Sequence, residues 1–289
     1  MRALIMAGGF ARRMWPLTAS TPKQLLPLSD GYLILDLIVD GLLDVDLEEI
    51  MISVNARFSA DFRKWAESRG LGLRIIEEGA MREEEKPGAV AALASIAESQ
   101  PRDDYLVVAG DNISSINYSD LIDHMRARGS SIVAIYDVGS PELAKRYGVV
   151  SVGPDWRILS LVEKPENPPS TLVSTAIYAM PWEALGRVRE YLSYGAQRDA
   201  LGHFISWLAS REPVYGFRFS GYWFDVGSLD EYARVRELFE RGLIRRPRHI
   251  SPARRARAGQ WAIPRRLTFI NIGSRGVPSR WRIREGGRL

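Results

Sequence analysis

The chain has 289 residues, of which 46% are hydrophobic and 26% charged, with no cysteine and a net charge of +4. These values are typical of a globular protein with a large core. The lack of cysteine excludes disulfides and thiolate metal sites, and it favours a reducing compartment. The apolar residues 1–7 meet Gly8 and Gly9 too soon for a signal peptide or a membrane span, so we expect a cytoplasmic protein without membrane association.

The positive charge is concentrated at the C terminus. Residues 241–289 contain 14 arginines and a single acid, Glu285, which leaves 25 basic and 34 acidic residues in 1–240. The high isoelectric point therefore describes the tail and is weak evidence for a nucleic-acid-binding fold. Lysine is scarce compared with arginine, so each lysine is a candidate for a position that needs a compact point charge and not a planar guanidinium. The five lysines are Lys23, Lys64, Lys86, Lys145 and Lys164.

Apolar runs alternate with segments of helical period in the first half of the chain. The pattern predicts strands at 3–9, 49–55, 73–78, 105–112 and 131–138, and helices at 33–45, 59–70, 88–99 and 120–129. After residue 140 it predicts strands at 147–152, 158–164 and 172–180, helices near 181–192 and 199–210, a strand-like run at 214–227, and a last helix. That helix begins at Ser228, with Glu231 completing a capping box, and ends at Gly242. The alternation indicates an α/β fold with a parallel sheet.

The composition changes sharply after residue 242. We therefore predict one domain over 1–242 and an Arg-rich C-terminal segment over 243–289. A poorly ordered tail, a small β-rich cap and a reading-frame error all remain open for this segment. It contains no hexapeptide repeat.

The first predicted strand runs into a glycine-rich turn that is followed by cations. Gly8 and Gly9 allow backbone N–H groups to approach an anion, and Arg12, Arg13 and Lys23 add positive charge. Neither G-x-G-x-x-G nor the Walker pattern is present. A glycine pair by itself fits a tight turn as well as a phosphate site.

The whole stretch AGGFARRMWPLTASTPKQLLPL (7–28) resembles the N-terminal signature of the sugar-1-phosphate nucleotidylyltransferases. Two positions depart from that pattern: Ala11 replaces a glycine, and Arg12 replaces a small hydroxyl residue. The resemblance implies a Rossmann-like three-layer α/β/α fold with a mixed, mostly parallel central sheet, the nucleotide-diphospho-sugar transferase fold.

Further segments match the same family in sequence order. Gly110-Asp111-Asn112 and Trp223-Phe224-Asp225-Val226-Gly227 resemble its two acidic motifs, although each aspartate alone would suit a turn or helix cap. Tyr147–Val150, Glu163-Lys164-Pro165 and Ser174–Tyr178 resemble its sugar-side motifs. In the last of these, Ser174 replaces an asparagine and Ala176 a glycine. Gly88 lies where the family has its base-side glycine.

The resemblance implies a role for each matched residue. The expected catalytic residues are Arg13, Lys23 and Lys164; the nucleotide-binding residues Ala7, Gly8, Gly9, Arg12 and Gly88; the sugar-binding residues Gly148, Glu163 and Ser174; and the ligands of Mg²⁺, the one expected cofactor, Asp111 and Asp225. The implied reaction transfers a nucleoside monophosphate from a nucleoside triphosphate (NTP) to a sugar-1-phosphate, with dTTP and glucose-1-phosphate as the first choice because of the segment PKQLLPL.

Two other functions remain open. One is a non-catalytic regulatory subunit of the same fold that binds a nucleotide sugar. The other is nucleic-acid binding through the arginines of 243–289, which the few aromatic residues in that segment disfavour. The expected partners are the NTP and the sugar-1-phosphate, and a homo-oligomer is compatible with the sequence.

Overall fold

The structure, a computed structural model, describes residues 1–244. The prediction for 243–289 therefore lies outside the described residues, apart from its first two positions. Within 1–244, every helix is too short or too polar to cross a lipid bilayer.

Thirteen strands and nine α-helices form within the described residues. The strands are β1 Arg2–Ala7, β2 Pro27–Ser29, β3 Tyr32–Leu33, β4 Glu49–Val54, β5 Arg74–Glu77, β6 Tyr105–Ala109, β7 Asn112–Ser114, β8 Ser131–Asp137, β9 Gly148–Val152, β10 Ile158–Glu163, β11 Leu172–Met180, β12 Val214–Arg218 and β13 Trp223–Asp225. The helices are α1 Ile34–Leu43, α2 Ser59–Ser68, α3 Ala89–Ser99, α4 Tyr118–Arg128, α5 Pro141–Ala144, α6 Trp182–Gly186, α7 Val188–Ser193, α8 Leu201–Ala209 and α9 Leu229–Glu240.

Nine of the strands share one mixed sheet. Seven lie in the order β10-β9-β11-β6-β1-β4-β5, and β8 pairs with both β11 and β12. Strands β6, β1, β4 and β5 are parallel, whereas β11 runs antiparallel to β6. The carboxyl ends of the parallel strands therefore meet at one edge, where open α/β sheets bind ligands.

Side chains alternate between the two faces of the sheet along each strand, so each face carries apolar residues that must be covered. Helices cover both faces. In β1, Ile5 packs with Phe62 of α2 and Leu121 of α4 on one face. Leu4 belongs to the opposite face, together with Phe204 of α8. These two cores confirm the predicted three-layer α/β/α arrangement with a mixed central sheet.

The structure corrects the predicted strand over 214–227. It forms two strands, β12 and β13, separated by a turn at Gly221, whose φ is +103°. A Cβ at Gly221 would overlap the Ser115 hydroxyl, so the turn needs a glycine. The predicted strand 105–112 also breaks, at Gly110, into β6 and β7. Strand β13 leaves the main sheet and pairs with β7.

Two local predictions near the C-terminal half also change. The helix predicted near 181–192 divides at Arg187 into α6 and α7. The start of α9 confirms Ser228 as its cap, since Ser228 Oγ accepts a hydrogen bond from Glu231 N at 3.2 Å. The second half of the predicted capping box is wrong, because the Glu231 carboxylate accepts from Gly227 N at 3.0 Å instead.

Candidate active site

The turns after β1 and β6 lie side by side at the carboxyl edge of the sheet. Met6 is paired with Ala109, and Gly110 N donates a hydrogen bond to Met6 O at 2.9 Å. A Cβ on Gly110 would lie only 3.0 Å from Met6 O, so the two chains approach closely. Asp111 therefore lies next to the Gly8–Gly9 turn.

The second acidic motif reaches Asp111 through the β7–β13 ladder. Asn112 is paired with Asp225, and Val226 N donates to Asp111 O at 3.0 Å. Trp223 Nε1 donates to Asn112 Oδ1 at 3.0 Å from a buried position. The structure thus brings the predicted aspartates, Asp111 and Asp225, to one place.

Lys23 contacts the first of these two carboxylates and lies within electrostatic range of the second. It begins the 3₁₀ turn Lys23–Leu25, and its Nζ contacts Asp111 Oδ2 and donates to Val226 O at 3.4 Å. Burial alone would lower the pKa of Lys23, but the negative charges of Asp111, Asp225 and Glu231 outweigh it, so the pKa is raised. Lys23 remains charged at neutral pH.

The two carboxylates repel each other. Burial, and next the charge of Asp111, raise the pKa of Asp225 to about 6. The charges of Lys23 and Arg146 lower this pKa only in part. Two neighbouring carboxylates of this kind fit a divalent cation with hard oxygen ligands. The described residues contain no group of three or more metal-ligating side chains. Mg²⁺ is usually held by one or two carboxylates plus substrate phosphate oxygens.

The rest of the signature loop exposes its arginines. Ala11 takes the left-handed conformation, with φ 50° and ψ 41°, which a glycine would adopt without strain. Arg12 Nη2 donates to Glu84 Oε1 at 2.5 Å, so this predicted nucleotide ligand is engaged by a carboxylate. Arg13 is exposed and has no ion-pair partner within residues 1–244, which leaves its guanidinium available to an anion.

The predicted sugar-side residues come from three adjacent strands. Glu163 on β10 is paired with Gly148 on β9, and the next residue of β9, Val149, is paired with Val173 on β11. Ser174 follows Val173 directly in the chain. Burial raises the pKa of Glu163, and the charges of His203 and Lys164 offset this in part.

Lys164 and Ser174 differ in the exposure of their side chains. Lys164 has φ +48°, an uncommon backbone conformation for a residue other than glycine, and its side chain is exposed. Ser174 is buried, and its hydroxyl is hydrogen-bonded to the Tyr178 hydroxyl at 3.2 Å. The Ser174 hydroxyl is therefore already satisfied within the protein.

Gly88 lies at the start of α3, as predicted. Its φ is +86°, and a Cβ there would lie 2.7 Å from the carbonyl carbon of Arg198. Arg198 O also accepts a hydrogen bond from Val90 N at 2.9 Å. The segment before α8 thus packs against the predicted base side.

Sequence analysis missed three residues that the structure places at these groups. The buried Glu78 lies directly beneath Gly8, Arg146 pairs with Glu231 and lies near Asp225, and Gly202 touches Glu163. Only Gly202 carried a signal, because an isolated glycine inside a helical pattern often has a packing reason.

The chain resembles known proteins over most of its length. Relatives include the mannose-1-phosphate guanylyltransferase of Mycobacterium tuberculosis, 25% identical over 260 residues that cover 89% of this chain and 68% of the relative. The glucose-1-phosphate adenylyltransferase of Pseudothermotoga lettingae is 29% identical over 248 residues. That match covers 80% of this chain but only 58% of the relative's length.

Solved structures share the fold. A Bacillus anthracis structure with bound sucrose, assigned as a glucose-1-phosphate thymidylyltransferase, has a TM-score of 0.71 and 24% identity, covering 82% of this chain and 94% of that one. A UDP-glucose pyrophosphorylase in complex with UDP-glucose has a TM-score of 0.69 at 18% identity, covering 83% and 98%. The family model for nucleotidyl transferases matches residues 2–241, and the chain belongs to this family.

Proposed function

We propose that this protein is a sugar-1-phosphate nucleotidylyltransferase, which makes an NDP-sugar and pyrophosphate from an NTP and a sugar-1-phosphate. The activity is assigned to residues 1–242. The observation that carries the proposal is the contact of Lys23 with Asp111, beside Asp225, at the sheet edge that also bears the Gly8–Gly9 turn.

The reaction needs little covalent chemistry from the protein. A phosphate oxygen of the sugar-1-phosphate forms a bond to the α-phosphorus of the NTP. The bond from that phosphorus to the oxygen bridging to the β-phosphate breaks, and its electron pair leaves with pyrophosphate. The attacking phosphate is already ionised near neutral pH, so positioning and charge neutralisation supply most of the rate.

The described residues provide for these two needs. The Gly8 and Gly9 amides and the exposed Arg13 receive the triphosphate, and Lys23 stabilises the charge that develops during transfer. On the sugar side, Lys164 orients the attacking phosphate, and the Glu163 carboxylate accepts hydrogen bonds from sugar hydroxyls.

Asp111 and Asp225 would hold Mg²⁺. When bound, the ion would neutralise part of the negative charge on the substrate phosphates.

The proposed first substrate pair is dTTP with glucose-1-phosphate, which the segment PKQLLPL favours. The names of the two sequence relatives pair a guanylyl group with mannose-1-phosphate and an adenylyl group with glucose-1-phosphate. These two pairs are therefore the natural competitors.

A pyrophosphate-release assay tests the proposal. Purified protein is incubated with Mg²⁺, each common triphosphate, and glucose- or mannose-1-phosphate. We expect release only when both substrates are present, and at least a hundredfold less with Lys23→Ala, as is typical for loss of one group that stabilises the transition state. Binding of a nucleotide sugar without pyrophosphate release from any pair would instead show the non-catalytic subunit.

A further inference from the structure

The carboxylate of Glu163 lies in a space bounded by two glycines. A Cβ on Gly148 would be 3.1 Å from Glu163 Oε1, and a Cβ on Gly202 would overlap the same oxygen and lie 2.8 Å from Glu163 Cδ. Gly148 faces Glu163 across the β9–β10 ladder, whereas Gly202 is the second residue of α8. The two glycines come from different layers of the fold.

Shape, and not hydrogen bonding, holds the carboxylate there. Within residues 1–244 no hydrogen bond or ion pair to the Glu163 carboxylate is formed, although His203 and Lys164 place positive charge nearby. The buried Leu161 lies against both glycines as well, with its Cδ2 3.0 Å from a Cβ on Gly202. The acid therefore keeps its full capacity to accept hydrogen bonds from a ligand.

We propose that Gly202 is a positioning residue of the sugar subsite: its missing side chain leaves the space in which Glu163 is held ready for sugar hydroxyls. This inference rests on the proposed function.

Gly202→Ala tests the inference directly. The atom that a new Cβ would meet first is the end of a flexible side chain, so the variant should fold while Glu163 moves away. We expect the KM for the sugar-1-phosphate to rise about tenfold or more, which is the size of one or two lost hydrogen bonds to a charged group. The kcat and the KM for the NTP should change less than twofold, a split that general loss of structure would not produce.

Gly186→Ala is the matched control, because no atom lies within 4 Å of a Cβ at this position and its φ is ordinary. This variant should leave every kinetic constant unchanged. Glu163→Ala provides the second comparison: if Gly202 acts through Glu163, adding Gly202→Ala to that variant should change the sugar KM no further.

The outcomes separate the inference from the function on which it rests. If Glu163→Ala raises the sugar KM but Gly202→Ala does not, or if the two effects multiply, Gly202 is not a positioning residue and the proposed function stands. If Glu163→Ala leaves the sugar KM unchanged, both the role of Glu163 and the inference are wrong.

A crystal structure of Gly202→Ala tests the placement even if no substrate pair gives activity. The inference expects the Glu163 carboxylate to have left the space between Gly148 and α8. A carboxylate that remains in place, with α8 shifted instead, would contradict it.

Discussion

Trp223 Nε1 donates a buried hydrogen bond to Asn112 Oδ1 at 3.0 Å, across 111 residues of chain. The bond belongs to the β7–β13 ladder, in which the next pair but one is Asn112 with Asp225. The same indole packs against Tyr147 at a ring distance of 4.8 Å. Trp223 therefore links both acidic motifs to the sugar-side motif Tyr147–Val150.

Replacing Trp223 with phenylalanine should weaken this link while keeping an aromatic ring. The buried Asn112 Oδ1 loses its partner, which typically costs about 1–3 kcal/mol of unfolding free energy. Because Asp225 then loses part of its support, we also expect a lower kcat. Urea unfolding and the pyrophosphate assay measure the two effects.

Trp207→Phe is the control for that variant. Trp207 Nε1 is buried without a hydrogen-bond partner in the part of the chain that the structure describes, so the same change in ring size removes no hydrogen bond. An equal loss of stability in both variants would show that the Trp223 bond contributes nothing.

Gly8→Ala and Gly9→Ala should have different effects. A Cβ on Gly8 would lie 2.6 Å from Glu78 Cδ, and Glu78 is held by Ser53 Oγ at 2.7 Å, so overpacking should cost about 1–3 kcal/mol of stability. Gly9 is exposed with no atom within 4 Å of a Cβ, so its variant should keep the melting temperature.

Gly9→Ala should instead raise the KM for the NTP about tenfold, because a side chain would enter the proposed triphosphate site. Thermal unfolding and steady-state kinetics on both variants give this comparison. An unchanged NTP KM in Gly9→Ala would argue against phosphate binding at this turn.

Ala176→Gly should stabilise the protein. Ala176 has φ +54°, in a left-handed conformation that costs about 1–2 kcal/mol for a residue with a Cβ. Glycine removes that strain but loses about 0.5–1 kcal/mol of backbone entropy, so we expect a net gain of about 0.5–1 kcal/mol in urea unfolding.

Ala91→Gly inside α3 should show the opposite sign, a loss of about 1 kcal/mol, since the helical backbone there is unstrained. If Ala176→Gly is destabilising by a similar amount, the left-handed conformation at residue 176 is not a source of strain.

Glu78 should make stability depend on pH. Burial raises the pKa of the Glu78 carboxyl in the folded protein, although the hydrogen bond from Ser53 lowers it in part. Protonated Glu78 is therefore favoured by folding, and its contribution is present below the ordinary pKa of glutamate, 4.5, and is lost as the pH rises through the raised value.

Glu78→Gln cannot titrate and still accepts the Ser53 bond. Its unfolding free energy should exceed that of the wild type by an amount that grows from pH 4 to pH 8. The control is Glu77→Gln, which breaks a partly exposed ion pair with Arg63 at 3.1 Å and should be slightly destabilising at pH 8. Parallel pH profiles for wild type and Glu78→Gln would contradict the raised pKa.

The sequence patterns that gave correct predictions were local ones. The regular spacing of apolar residues located the parallel strands and the helices between them. This spacing arises because each strand or helix must direct apolar side chains toward the layer on which it packs. The prediction was wrong where the aromatic run 214–227 looked continuous, since only contact with Ser115 and β7 shows that the chain must turn at Gly221.

By itself, the sequence determined the order and chemistry of the motifs, from the glycine turn to the last aspartate, and with them the family. Such motifs are short contiguous segments whose chemistry can be recognised without knowing their surroundings. The tertiary structure alone decided that Asp225 comes near Asp111 and Lys23, and that Gly202 lies against Glu163. These relationships join residues separated by 39 to more than 100 positions. Long-range packing sets them, so the local pattern around one residue does not identify its partner.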